Sequence, residues 1–116
     1  MSGWTAASAR DRIMLVREKP PTLGYRRLSY HRDIYPDLRA FLDAHGKPDF
    51  LVETTGEGYR YLVFYYLRNG LSFVMRTRGP ETGIMECTGP FRMSPNERAI
   101  LSNLRTKAAT GEKPKS

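Results

Sequence analysis

The chain has 116 residues, a single cysteine and a formal net charge of +7; that length suits one domain whose core can hold without cross-links. Cys87 alone excludes an internal disulfide, so a reducing, cytoplasmic setting is the expectation. The apolar run over residues 62–67 falls far short of the roughly 20 residues that cross a bilayer as a helix, and residues 1–12 are read as lacking the apolar block and small-residue cleavage site of a secretory leader.

The charge is unevenly spread. Residues 1–36 carry seven Arg and Lys against Asp11, Glu18 and Asp33, and residues 105–116 carry four against Glu112. Residues 37–104 balance eight against eight. The expected folded centre is therefore neutral, and the basic excess that would invite nucleic acid lies in the flanks.

In chain order, residues 5–19 admit two readings. Thr5 as a cap with Ala9, Ile13 and Val16 on one side makes a helix that Pro20-Pro21 ends, while residues 13–17 fit a strand equally. Residues 22–35 are expected to be irregular, tied down by Leu23, Tyr25, Leu28, Tyr30 and Ile34. Pro36 opens a helix with Leu38, Phe41 and Leu42 on one face, stopped by Gly46 and Pro48.

Residues 50–54 read as a short strand, joined through Thr55-Gly56-Glu57-Gly58 to a β-rich run, 59–68. Asn69-Gly70 then predicts a two-residue type I′ turn into a strand over 71–78, because both residues tolerate positive φ. That turn sets Arg68 opposite Leu71, Tyr66 opposite Phe73, Phe64 opposite Met75 and Leu62 opposite Thr77, giving one face the character of a core. A loop over 79–83 leads to a fourth candidate strand, 84–88.

Ser94-Pro95-Asn96-Glu97 combines an N-cap, a proline at the first helical position and a glutamate able to reach back to the cap, predicting a helix over 95–105. Its Ile100, Leu101 and Leu104 make a stripe that can cover a sheet face. Residues 105–116 have the composition of a disordered basic tail. The predicted fold class is α+β: a single domain over 1–104, less regular in 1–35, with a three- or four-stranded antiparallel meander and two or three helices packed against one face.

The feature with most functional content is the second hairpin face, where Tyr59, Tyr61, Val63, Tyr65 and Leu67 stand against Ser72, Val74, Arg76 and Arg78. Aromatic and arginine-rich surfaces are what protein interfaces favour, and the same Tyr59, Tyr61, Tyr65, Arg76 and Arg78 could stack unpaired bases and hold phosphates. The structural alternative is that tyrosine is an ordinary strand residue, that the amino-terminal segment half covers this face, and that the arginines pair with Glu53 or Glu86. Strand edges, at 50–54 or 84–88, are a further route to a partner.

Other motifs offer less. His31 beside Asp33, with Ser29 the only local hydroxyl, makes a weak catalytic constellation, and His45 suits a helix C-terminus. Cys87 reads as a small buried hydrophobe. One cysteine and two separated histidines build no zinc site, and Gly56-x-Gly58 lacks the third glycine of a phosphate loop. The expectation is a small non-enzymatic module without cofactor or metal, acting through a protein partner or self-association, with RNA or single-stranded DNA as the alternative.

Overall fold

A computed structural model describes residues 12–109. Five strands, β1 (Arg12–Leu15), β2 (Phe50–Gly56), β3 (Tyr59–Tyr66), β4 (Leu71–Thr77) and β5 (Glu86–Arg92), form one antiparallel sheet in the order β1-β2-β3-β4-β5. Helices α1 (Leu23–Ile34) and α2 (Pro36–His45) lie between β1 and β2 in the chain, and α3 (Pro95–Ala109) follows β5. The class is the expected α+β, with one strand more than expected. That strand is β1, so the strand reading holds for residues 13–15, while the part of the alternative helix before Arg12 lies outside the described residues.

Residues 22–35 are not irregular. Thr22 accepts the amide of Tyr25 at 3.2 Å and caps α1, and the helix buries Gly24, Leu28 and His31, with Tyr35 behind them. Two of those four residues are not apolar, so the face carries little hydrophobic periodicity.

Alternation along β2 and β3 sorts the sheet into two faces. On the first, Leu51, Leu62, Phe64, Phe73 and Met75 pack with Leu28, Tyr35, Leu38 and Leu42 of the α1–α2 layer. On the second, Phe50 and Leu67 pack with Met93 and Leu101. The helices expected on one face thus sit on both: α1 and α2 over the first, α3 across one end of the second. Within α3 only Leu101 of the expected stripe is buried, and the helix runs to Ala109, past the point where the basic tail was expected to begin.

The hairpin register also differs from expectation. Tyr66 pairs with Leu71, Phe64 with Phe73 and Leu62 with Met75, leaving a four-residue loop, 67–70, in which Gly70 takes φ 69° while Asn69 does not enter the positive region. The two-residue turn of type I′ character falls instead at Glu57-Gly58, with φ 52° and 83°, between the paired Gly56 and Tyr59. Each β3 residue therefore faces a β4 residue two places earlier than predicted. An even slip preserves which side chains share a face.

β5 runs from Glu86 to Arg92 rather than over 84–88. As an edge strand it tolerates Pro90. Cys87 is exposed rather than buried, on a strand that is the outermost of the sheet among the described residues. β2, flanked by β1 and β3, has no open edge.

Candidate functional site

The second face carries three cross-strand rows over β3, β4 and β5: Tyr61, Arg76 and Glu86; Val63, Val74 and Thr88; Tyr65, Ser72 and Phe91. A bulge between Ser72 and Val74 lets Thr88 and Phe91, three residues apart, join the same face. All of these residues except Glu86 line an open groove of about 460 Å³, whose walls include Arg92 and, from α3, Glu97. Its middle is apolar; one end sets Tyr65 and Phe91 beside Arg92 and Glu97, and the other sets Tyr61 beside Arg76.

The five residues expected to bind divide in two. Tyr61, Tyr65 and Arg76 line the groove. Tyr59 and Arg78 sit at the sheet's far corner, where the guanidinium carbons of Arg76 and Arg78 lie 4.5 and 4.4 Å from the Tyr59 ring centroid and Arg78 donates to the Tyr59 hydroxyl at 2.8 Å. Arg76 borders both regions. It also donates from Nε to Glu86 at 2.8 Å, the pairing the structural alternative anticipates, and that bond raises its pKa further. Glu53 is elsewhere: its side chain is on the first face.

Burial, reinforced by Glu97, pushes the Tyr65 hydroxyl up to about 12, so it stays a neutral donor to that carboxylate. Glu97 thereby does half of the expected capping task. Its amide bonds to the Ser94 hydroxyl at 3.0 Å, while its side chain turns to the groove. Phe91, Arg92 and Glu97 are groove residues that sequence reasoning missed; Gly89-Pro90 reads as punctuation, and nothing in the sequence announces the bulge that re-aims Phe91.

None of α1 or α2 covers this face, since both pack on the other. Comparison with protein-family models, curated proteins and solved structures found no match to this chain. The functional reading therefore rests on the chain's own geometry.

The histidines do not build a catalytic site in the expected way. Asp33 points away, 69% exposed and 3.5 Å from Arg32. His31 is 2% exposed, and its Nε2 lies 3.2 Å from Glu53 on β2; Arg27, one turn earlier on α1, donates to both Glu53 oxygens at 2.8 and 2.9 Å. Burial alone raises the Glu53 pKa, but the hydrogen bonds from His31 and Arg27 outweigh it and hold the carboxyl at about 2. This cluster ties α1 to β2. His45 stacks on Phe41 with centroids 4.2 Å apart, beside Cys87 in a shallow hollow. Among the described residues no three His, Cys, Asp or Glu gather to hold a metal, and no helix is long and apolar enough to cross a membrane.

Proposed function

We propose that the chain is a small non-enzymatic binding module whose groove on the Tyr-rich sheet face receives a protein partner. The observation that carries this is the groove's composition: an apolar strip, Val63 and Val74, beside the rings of Tyr61, Tyr65 and Phe91, with Arg76, one of its two arginines, already bonded to Glu86. Such a strip suits an apolar side chain from a partner segment, and the tyrosines add area with a polar handle. A phosphate chain would meet Glu97 at one end of the groove and, at the other, an Arg76 already bonded to Glu86. The setting is taken to be the cytoplasm, where Cys87 remains a thiol.

RNA or single-stranded DNA is the second reading, favoured by Tyr59 with Arg76 and Arg78 at the corner. A base stacking there would have to displace guanidinium groups from the ring.

Amide shift mapping tests the choice, using the full chain against pooled short peptides rich in Phe, Leu and Ile and, separately, against oligouridine. Peptide-induced shifts at Val63, Val74 and Phe91 that vanish in Val74→Glu, with circular dichroism unchanged, support the protein reading. Oligouridine shifts at Tyr59 and Arg78, persisting at physiological salt, with no peptide response, would replace it with the nucleic-acid reading.

A further inference from the structure

Two hollows meet at Arg92. This residue ends β5, is exposed, and lines both the Tyr-rich groove and a second depression of about 520 Å³ between the 67–70 loop and the start of α3. The two differ in character. The groove presents Val63, Val74 and Phe91, the last 46% exposed. The second depression presents Asn69, Arg92, Arg98 and Ser102, and no acid lines it.

The charges around this junction are unequally matched. Arg76 is bonded to Glu86, Arg105 pairs with Asp49, and Glu97 accepts from the Tyr65 hydroxyl. Arg98 places Nε and one terminal nitrogen on the carbonyls of Leu67 and Arg68, while its other terminal nitrogen lies beside Gly70. Among the described residues, Arg92 makes no ion pair or side-chain hydrogen bond. Its guanidinium keeps the planar fork of donors that a carboxylate meets in two parallel bonds. An arriving segment therefore finds an apolar seat with an unmatched cation at its rim. A chain of phosphates leading from Arg92 into the groove would run onto Glu97, whereas a peptide changes from anionic to apolar within one residue.

We infer that the groove's partner is an acidic and apolar segment of another protein. An aliphatic or aromatic side chain sits on Val63 and Val74, and an aspartate or glutamate within about three residues of it, the ~10 Å that three extended residues span, is held by Arg92 with Arg98 behind it. This rests on the groove being the binding face, and it adds the charge of what binds there.

Peptides selected from a random phage-displayed library against the full chain, then measured by fluorescence anisotropy at physiological salt, test the inference. The recovered peptides carry Asp or Glu close to Phe, Leu or Ile. Changing that acid to its amide weakens binding roughly tenfold, and Arg92→Glu weakens the acidic peptide by at least as much. On Arg92→Glu the order reverses, and a peptide with Lys in place of its acid binds better than the acidic one. That reversal compares two peptides on one protein, so a structural effect of the substitution cannot produce it. Apolar peptides lost in Val74→Glu but without an acid preference, or an acid preference unchanged in Arg92→Glu, overturn the inference and leave the groove as the binding face. Recovery of no peptide, or of peptides indifferent to Val74→Glu, removes the groove reading and the inference with it. Oligouridine that displaces the acidic peptide, and loses that ability in Arg92→Glu, assigns the second depression to nucleic acid instead.

Discussion

His31 Nε2 on α1 lies 3.2 Å from the Glu53 carboxylate on β2, inside the layer where helix meets sheet. Glu53 has its pKa lowered from 4.5 to about 2, so the folded state favours its charged form. The resulting stability is fully present above pH 4.5, is lost as pH falls toward 2, and amounts to roughly 2–3 kcal/mol at neutral pH. Glu53→Gln should cost about that much at pH 7 in urea titrations. The penalty should shrink as pH approaches 2, where the wild type has lost the same contribution; a penalty independent of pH would mean that packing, and not charge, dominates at this position.

At Gly24 the backbone of α1 lies close against β1. A Cβ built there would stand 2.3 Å from the Leu15 carbonyl oxygen and 3.1 Å from Met14 Cβ. Gly24→Ala should therefore destabilise by about 2–4 kcal/mol despite the roughly 1 kcal/mol that alanine gains in a helix interior. Thermal denaturation measures this, and a rise in Tm would show that α1 can stand further from the sheet.

The two arginines that fasten α3 should differ in weight. Arg98 satisfies the carbonyls of the 67–70 loop, so Arg98→Ala should cost about 1–2 kcal/mol and speed hydrogen exchange in α3. Arg105, more than half exposed in its pair with Asp49, should cost at most a few tenths. Equal effects would place the anchor of α3 elsewhere.

What the sequence disclosed follows from how far each signal depends on tertiary context. Ser94-Pro95 located the start of α3, and alternation over β3 and β4 identified both faces, because capping and period-2 burial are local. Asn69-Gly70 marked a turn but not its length; the fit to type I′ chemistry was satisfied by Glu57-Gly58 instead, where a non-glycine residue accepts positive φ. α1 escaped notice because its buried face is built from Gly24 and His31 as well as Leu28. Gly24 lies inward for lack of space, and His31 lies inward because Glu53, twenty-two residues away in the chain, meets it. The groove was legible as Tyr61, Tyr65, Val63, Val74 and Arg76, all on one hairpin. Its third strand and its α3 wall were not, since an edge strand with Gly89-Pro90 looks like a loop and a capping glutamate looks occupied.

The place of β1 sets an order on how the sheet assembles. β2 to β5 follow one another through turns and short loops, so each pairing extends one already formed. β1 alone reaches its neighbour across two helices, with Leu15 paired to Phe50. The loop-closure entropy of the sheet is concentrated in that one seam, and pairings of large sequence separation are the slow ones. β1 is thus expected to dock late, and α1 secures it: Gly24 lies against it, and Arg27 and His31 grip Glu53 on the strand beside it. On the loop-closure argument, the first strand among the described residues is expected to be the last to join the sheet, after the helix that follows it has formed.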